Sequence, residues 1–276
     1  MPNGVADKLL SLKVCKNVRL YDVTLRRGGH FALIANGCDG LRLHRVQVFS
    51  TDDRDGINFI NSSNVELADS RVEASNDAVA FKSDYALGRT FPSEHSAVRD
   101  STIISTENNA VQFGSETCGS FRDIRFSNPT ITGASKAGLG IVSTDGATIE
   151  DVSYTDITLT RSGSPIYLHV DKRSRWPGSP TAGKIRNVTF KNITGTNLTA
   201  PVDIPGDPEY ASTLSGRAES PIENITFDDV RLTVPGGHPA SDANRVPPES
   251  GIAYPPRTFG VRILVAAHQE HPVRGQ

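Results

Sequence analysis

Two aspartates, Asp55 and Asp77, each stand two residues before a short apolar stretch, residues 57–59 and 79–81 respectively. Two carboxylates held side by side push their pKa values apart, so that one stays protonated while the other acts as a base. Such a pair can cleave a glycosidic bond. Aspartate is also common in turns, where it accepts backbone N–H groups, but the shared offset of these two residues favours a catalytic pair.

Other polar residues stand at matching positions before or after an apolar stretch. Glu116 is a third candidate catalytic carboxylate, because it lies in the turn that follows the stretch 111–113. The candidate substrate-binding residues are Asp53, Asn76, Lys82, Asn109, Asp145 and Trp176. The ring of Trp176 can face a sugar, although a lone tryptophan more often packs in a core or loop. No histidine or cysteine spacing is typical of a metal site, so we expect neither a metal nor a cofactor.

These positions must be set by a repeat that runs through the chain. The repeat reads apolar–x–apolar–x–x–apolar–x–apolar, and its copies begin at Val18, Leu41, Val65, Ile124, Val152, Val188 and Ile225. The residue before the first apolar position is often asparagine, at Asn17, Asn64, Asn187 and Asn224. The first three copies start 23 and then 24 residues apart, a period that is typical of a solenoid.

The pattern within each copy indicates strands, because side chains at i and i+2 of a strand face the same side. The three-residue step interrupts this alternation, as a corner would. A second apolar stretch follows in each turn, after a cluster of Gly, Asn, Asp or Ser. Three short strands per turn predict an all-β fold, a right-handed parallel β-helix, in which stacked coils share one core. Asp55 and Asp77 then lie on neighbouring coils, with Lys82, Glu116 and Asp145 at the rim of the same groove.

The repeat covers residues 14–232, so we expect one β-helix domain, 1–276, with a loop-rich or irregular tail over 233–276. Apolar residues make up 37% of the chain, which suits a narrow core. The net charge is −2, and the positive and negative residues are interspersed. This pattern indicates no basic patch that would bind nucleic acid or an anionic membrane surface. No apolar run approaches a membrane span. We therefore expect a monomer that binds a carbohydrate, and neither nucleic acid nor a membrane.

Three stretches, 55–57, 76–83 and 109–116, resemble glycoside hydrolase family 28, the polygalacturonases and their relatives. The resemblance runs in order from residue 14 to residue 197 and includes the coil at 187–193. It implies a right-handed parallel β-helix that hydrolyses a poly- or oligosaccharide with inversion, with Asp77 as the general acid and Asp55 as the base.

The active-site motifs of that family are kept only in part. Its Asn-Thr-Asp reads Asp53-Arg54-Asp55 here, and its paired aspartates read Asn76-Asp77. Its Gly-His-Gly falls on 108–110 without the histidine, and its Arg-Ile-Lys falls on 140–142 without either cation. In polygalacturonases that arginine and lysine engage the substrate carboxylate. A buried carboxylate needs a cation or donors, so we expect polygalacturonic acid not to be the preferred substrate.

Two other functions remain open at this stage. A polysaccharide lyase needs a base and cations that stabilise an enolate, and Arg54, Lys82 and Lys136 could supply them. The acidic residues that could hold Ca²⁺ are limited to 52–55, which argues against a lyase. The missing histidine, arginine and lysine favour a non-catalytic carbohydrate-binding β-helix, whereas the retained aspartates argue against it.

The cellular compartment is not fixed by the sequence. The stretch 1–12 lacks the charged-then-apolar pattern of a secretion signal. The family resemblance implies a secreted or periplasmic protein, whereas the odd number of cysteines, 3, is also compatible with the cytoplasm.

Overall fold

The computed structural model describes residues 8–50, 54–173, 181–200 and 212–235, together with the backbone of residues 264–266. These residues form 20 strands and no helix, and the paired strands run parallel. The chain winds into a right-handed parallel β-helix, so the predicted fold class is confirmed. Among the described residues there is accordingly no helical segment that could cross a membrane.

Each coil contributes a strand to each of three faces. The first face holds β1 (Lys8–Lys13), β4 (Phe31–Asn36), β7 (Asp55–Ile60), β10 (Val79–Ser83), β13 (Val111–Thr117) and β18 (Thr213–Ser215). The second face holds β2 (Lys16–Tyr21), β5 (Asp39–His44), β8 (Ser63–Ala68), β11 (Ser93–Arg99) and β14 (Phe121–Ser127). The third face holds β3 (Thr24–Arg26), β6 (Gln47–Phe49), β9 (Arg71–Ala74) and β12 (Thr102–Ser105). Four longer strands bend around corners: β15 (Thr130–Ser143), β16 (Thr148–Val170), β17 (Lys184–Thr196) and β19 (Glu223–Leu232).

One strand lies within the stretch that the sequence predicts to be a loop-rich or irregular tail. This strand, β20 (Leu264–Ala266), pairs in parallel with β18 and so extends the first face. The strands from β2 to β19 span the predicted repeat. The assignment of all of 1–276 to one domain stays a prediction.

The corners of the coils explain the three-residue step of the repeat. Val18, Leu41 and Val65 stack in register, as the repeat predicts. At the following corner Asp22, Arg45 and Asp69 adopt left-handed backbone angles, with φ of 58°, 52° and 51°. A left-handed residue turns the strand and shifts the alternation by one position, which is why the spacing lengthens from two residues to three.

The residue that precedes the first apolar position of a copy, often asparagine, also adopts a left-handed angle, at a bend near the start of the second-face strand. Asn17, Asn64 and Asn187 have φ of 54°, 55° and 56°, and Gly40 takes the same place with φ of 78°. Asparagine tolerates this conformation because its short polar side chain bonds locally, and glycine because it has no Cβ. The side chains also form a ladder, since Asn187 Nδ2 donates to Asp151 Oδ1 at 2.9 Å.

The core is a continuous column of stacked side chains. Phe59, Phe81 and Phe113 stack on successive coils of the first face, with ring centroids 5.3 and 5.5 Å apart. On the second face Tyr154 and Phe190 lie 5.0 Å apart and nearly parallel. Each such aromatic pair contributes about 0.5–1.5 kcal/mol beyond the burial of its surface. One coil cannot bury its apolar side chains alone, so stability comes from the stacking of neighbours.

The coils differ in length although their strands stay in register. Asp55 and Asp77 are 22 residues apart, Asp77 and Asn109 are 32 apart, and Ile166 and Ser212 are 46 apart. In the coil from Asp77 to Asn109, the stretch between β10 and β11 forms a long corner loop. The length of this loop changes while the core strands stay aligned.

The role of the left-handed backbone conformation can be tested at Asn187. The variant Asn187→Val forces a β-branched residue into the left-handed region, whereas Asn187→Gly keeps that conformation and loses the side-chain ladder. We expect the valine variant to be about 1–2 kcal/mol less stable than the glycine variant. Urea unfolding of both variants and the wild type measures this difference. Equal losses in the two variants would mean that the ladder, and not the backbone angle, accounts for the asparagine.

Candidate active site

The candidate site lies on the outer side of the first face, where three neighbouring coils present the same position. Asp55 begins β7, and Asp77 and Asn109 stand two residues before β10 and β13. The strands stack with Ile57 opposite Val79 and Val79 opposite Val111, so the three polar residues follow each other along one row. The β-helix thereby brings together residues that are 22 and 32 positions apart in the sequence.

The ammonium group of Lys82 lies close to all three predicted catalytic carboxylates. Its Nζ lies 3.1 Å from Asp55 Oδ2, 3.6 Å from Asp77 Oδ2 and 4.0 Å from Glu116 Oε2. Asp55, Asp77 and Lys82 are buried, whereas 26% of the Glu116 side chain is exposed. The cluster therefore opens toward solvent at Glu116.

Burial and neighbouring charges shift the pKa values of Asp77 and Lys82. Loss of solvent is the largest effect on Asp77, and together with the negative charge of Asp55 it raises the pKa of Asp77 to about 6. Lys82 acts in the opposite direction and lowers the pKa of Asp77. Burial opposes the charged form of Lys82, but Asp55, Asp77 and Glu116 outweigh it and raise the pKa of Lys82. Lys82 therefore stays an ammonium while Asp77 can hold a proton near neutral pH.

Asp55 is surrounded by donors. Besides Lys82, the side chain of Asn58 donates from Nδ2 to Asp55 Oδ2 at 3.1 Å, and the backbone N–H of Asp77 donates to Asp55 Oδ1 at 3.2 Å. The ring of Phe31, the register partner of Asp55 on the preceding coil, lies 5.6 Å from Lys82 Nζ. Both oxygens of Asp55 therefore serve as hydrogen-bond acceptors within the cluster.

Two predicted substrate-binding residues, Asn76 and Asn109, lie beside Asp77 and form hydrogen bonds with other residues of the protein. Asn109 donates from Nδ2 to Asp77 Oδ1 at 2.9 Å, and its Oδ1 accepts from the backbone N–H of Ala137 at 3.0 Å. Asn76 is half-buried, and its Oδ1 accepts from the side chain of Asn108. The row of amides therefore fixes the orientation of the Asp77 carboxyl group. The predicted contacts of Asn76 and Asn109 with substrate remain predictions.

Asp145 belongs to a different contact. Its side chain is fully buried and binds both ends of the Arg173 guanidinium, with Nε to Oδ1 at 3.0 Å and Nη2 to Oδ2 at 2.5 Å. The sequence predicts Asp145 at the groove rim as a substrate-binding residue. In the structure Asp145 is fully buried and pairs with Arg173, of which 19% is exposed. The predicted contact of Asp145 with substrate stays a prediction.

The sequence interpretation missed two residues that contact the cluster or its neighbours. Asn58 lies between the inward-facing Ile57 and Phe59, so strand alternation places it on the outer side of β7. Its hydrogen bond to Asp55 is visible only in the structure. Arg173 lies three residues after β16, one position beyond the row in which Asp145 lies two residues after β15. Asp53 and Trp176, predicted as substrate-binding residues, lie outside the described residues.

A second charged group lies further along the first face. His169 Nε2 is 3.6 Å from Asp171 Oδ2, and Arg217 Nη1 donates to Asp171 Oδ1 at 2.7 Å. The proximity of His169 is the main reason that the pKa of Asp171 falls to about 2, and the donors Lys172 N–H and Arg217 add to it. The charged residues of this group contact one another, and none of them belongs to the Lys82 cluster. Across the described ranges, no three His, Cys, Asp or Glu side chains converge as metal ligands would.

Comparison with known proteins gives the family. The family model for glycosyl hydrolases family 28 matches residues 2–252. An endo-polygalacturonase of Pectobacterium carotovorum subsp. carotovorum is 26% identical over 236 residues, which cover 82% of this chain and 52% of that protein. A polygalacturonase of Juniperus ashei is 23% identical over 249 residues, covering 86% and 45% of the two chains. The chain spans about half the length of the curated relatives it matches.

Solved structures share the fold. An exopolygalacturonase from Thermotoga maritima superposes with a TM-score of 0.64 at 18% identity, over 80% of this chain and 50% of that one. An endo-xylogalacturonan hydrolase from Aspergillus tubingensis gives a TM-score of 0.57 at 14% identity, over 83% and 62% of the two chains. The family match favours the hydrolase over the lyase and the non-catalytic binding protein. This β-helical chain, with its row of acidic and amide side chains, belongs to glycosyl hydrolases family 28.

Proposed function

We propose that this protein is an inverting glycoside hydrolase in which Asp77 is the general acid and Asp55 is the general base that activates water. The observation that supports this assignment is the contrast between the two neighbouring carboxyl groups. Burial and the charge of Asp55 raise the pKa of Asp77 to about 6, whereas Asp55 accepts from Lys82 and Asn58. Two carboxyl groups in different environments are the arrangement that acid–base cleavage of a glycosidic bond requires.

Each residue of the cluster has a distinct part in the proposed step. Asp77 donates its proton to the oxygen of the leaving sugar, and Asp55 accepts a proton from the attacking water. Lys82, which contacts both, balances their charge as the proton moves between the protein and the substrate. Asn109 holds Asp77 through Oδ1, which leaves Oδ2 to carry the transferred proton.

The distance between the carboxyl groups bears on which residue holds the water. Inverting enzymes separate their two carboxyl groups by about 6.5–9.5 Å to admit a water molecule. Asp55 and Asp77 contact the same ammonium group at 3.1 and 3.6 Å, so they lie at or below the short end of that range. Glu116 approaches the ammonium at 4.0 Å and reaches solvent, so it is the second candidate for the base.

The substrate that we propose is an uncharged sugar at the centre of the groove. Lys82 faces Asp55 and Asp77, Arg173 faces Asp145, and Arg217 faces Asp171. A cation that already binds a carboxylate of its own chain is a weaker partner for the carboxylate of a galacturonic acid unit. Gly140 and Val142 add no charge at the positions where polygalacturonases carry arginine and lysine. The groove therefore suits hydroxyl groups better than carboxylates.

Asp77 as the acid predicts both a rate and a pH dependence. We expect Asp77→Asn to lower kcat by about 10²–10⁴-fold on a substrate with a poor leaving group, because the proton donor is lost. Activity of the wild type should fall as the pH rises above about 6, since Asp77 must be protonated to act. Steady-state kinetics from acid to neutral pH measure both effects.

The control for this prediction is Asp151→Asn, which changes an exposed corner aspartate that bonds Asn187. Its kcat and pH profile should match the wild type. Asp55→Asn should lower kcat as Asp77→Asn does if Asp55 holds the water, whereas Glu116→Gln should do so if Glu116 holds it. Wild-type activity in both the Asp77→Asn and Asp55→Asn variants would refute the assignment.

Lys82 should be needed for stability at neutral pH. Lys82→Met leaves two buried carboxyl groups without their cation, and breaking such a pair costs about 3–5 kcal/mol. The pKa of Asp77, about 6 against 3.8 in the unfolded chain, means that its protonation favours the folded state at low pH. That contribution is lost as the pH rises through 6. Without Lys82 the pKa of Asp77 rises further, so the variant should be least impaired in acid and most impaired above pH 6.

Urea unfolding between acid and neutral pH measures this dependence. The matched control is Lys191→Met, which removes an exposed lysine that lies 3.1 Å from Asp228. Exposed ion pairs contribute little, so the control should stay close to the wild type at every pH. A loss of stability in Lys82→Met that does not change with pH would contradict the coupling between Lys82 and Asp77.

A panel of neutral and acidic plant and microbial polysaccharides tests the substrate. We expect the protein to hydrolyse a neutral glycan faster than polygalacturonic acid, with NMR showing the inverted anomer as the first product. Robust release of galacturonic acid would refute the proposed preference while leaving the hydrolase mechanism intact. An unsaturated product would indicate a lyase, and binding without any product would indicate a carbohydrate-binding β-helix.

A further inference from the structure

Arg173 makes an unusually complete set of contacts for a residue that lies beyond the catalytic cluster. It follows β16 and reaches back to Asp145 on the preceding coil, with two parallel hydrogen bonds at 3.0 and 2.5 Å. The buried carboxylate fixes the plane of the guanidinium group, because both oxygens are bound by the same fork of donors. The Nη2 atom donates a further hydrogen bond, at 2.5 Å, to the backbone carbonyl oxygen of Ser115.

Ser115 connects this pair to the cluster. Its hydroxyl group donates to Glu116 Oε1 at 3.1 Å, and Glu116 Oε2 lies 4.0 Å from Lys82 Nζ. A continuous chain of polar contacts therefore runs from Asp145 through Arg173 to the ammonium group that contacts Asp55 and Asp77.

The segment that Arg173 contacts is a bulge in the sheet. Phe81 pairs with Phe113, but the next pair on the same two strands is Ser83 with Thr117, so residues 114–116 leave the ladder. On the other side, pairing between β13 and β15 ends at Phe113 with Ile141. A bulged residue loses its ladder hydrogen bonds and needs another partner to fix its position. The guanidinium group of Arg173 supplies that partner for Ser115.

The corner that follows the bulge has further hydrogen bonds besides those of Arg173. Thr117 donates from its backbone N–H to Asp145 Oδ2 at 3.2 Å, and its side-chain oxygen accepts from the backbone N–H of Thr144 at 3.0 Å. Thr117 also accepts from Ala147 N at 3.0 Å. These bonds tie the two coils together, so the particular contribution of Arg173 is its bond to the bulge.

We infer that Arg173, held by Asp145, is a positioning residue that fixes the 114–116 bulge and thereby the place of the Glu116 carboxylate beside Lys82. As far as catalysis is concerned, this inference rests on the proposed hydrolase function. Lysine cannot replace Arg173 fully, because a single ammonium lacks the planar fork that spans both oxygens of Asp145. Asp145, predicted from the sequence to bind substrate, then acts through Arg173.

The kinetic test compares four single variants and one double variant with the wild type. A displacement of about 1 Å in a catalytic group can cost about 100-fold, so Arg173→Met should lower kcat by about 10- to 100-fold with KM little changed. Arg173→Lys should lie between the two. The Arg173→Met change should add little to Glu116→Gln, because both act on the same carboxylate. The matched control is Arg186→Met, which breaks an exposed arginine–glutamate pair on another face and should leave kcat unchanged.

Two kinetic results would overturn the inference. If the losses of Arg173→Met and Glu116→Gln multiply in the double variant, Arg173 acts independently of Glu116. If KM rises while kcat holds, Arg173 binds substrate directly. If Arg173→Met does not fold, as judged by far-UV circular dichroism, Arg173→Lys makes the same comparisons with smaller changes.

A crystal structure of the Arg173→Met variant, beside that of the wild type, tests the positioning without a substrate. We expect the distance from Glu116 Oε2 to Lys82 Nζ to grow beyond the 4.0 Å of the wild type. A Glu116 carboxylate that stays in place would overturn the inference, whatever the kinetics show. If the wild type cleaves none of the polysaccharides, the proposed function fails, and these structures still decide whether Arg173 positions Glu116.

Discussion

Two buried carboxyl groups on neighbouring coils need a cation between them, and the ammonium group of Lys82 is that cation. In-register stacking of the first face puts Asp55 and Asp77 side by side, because the coil spacing of a parallel sheet is about 4.8 Å. Without Lys82 the buried Asp77 would be forced further toward its neutral form. With it, Asp55 accepts hydrogen bonds from its neighbours while the pKa of Asp77 is about 6. The proposed division of roles between acid and base therefore depends on one amine and on the strand register that delivers it.

The part of this arrangement that repeats along the chain could be predicted from the sequence. The spacing of Val18, Leu41 and Val65 predicts in-register coils, and that register alone places Asp55 next to Asp77. Lys82 and Glu116 could be predicted for the same reason, since each follows an inward-facing apolar stretch. The asparagines that precede several copies mark bends, because asparagine tolerates a left-handed backbone better than most residues.

The parts that escaped prediction depend on local departures from the repeat. The bulge at 114–116 is a shift of register, and no spacing of apolar residues reveals it. Arg173 joins the site through a long side chain that spans a coil, so its partner depends on rotamers and not on sequence period. The burial of Asp145 and its pairing with Arg173 depend on packing, which the repeat does not encode. Extending the row by one coil reaches Lys172, the residue before Arg173, and reveals none of these contacts.

Variation in coil length has a consequence for how such proteins diverge. Coils of 22, 32 and 46 residues stack on one another with their core strands aligned. An insertion at a corner therefore alters the wall of the groove and leaves the stacked column of phenylalanines untouched. The ligand specificity of a β-helix can therefore evolve one coil at a time, when a single loop is lengthened or shortened and the core strands stay the same. Each coil can thus change independently of the others, and new specificity can arise without a new fold.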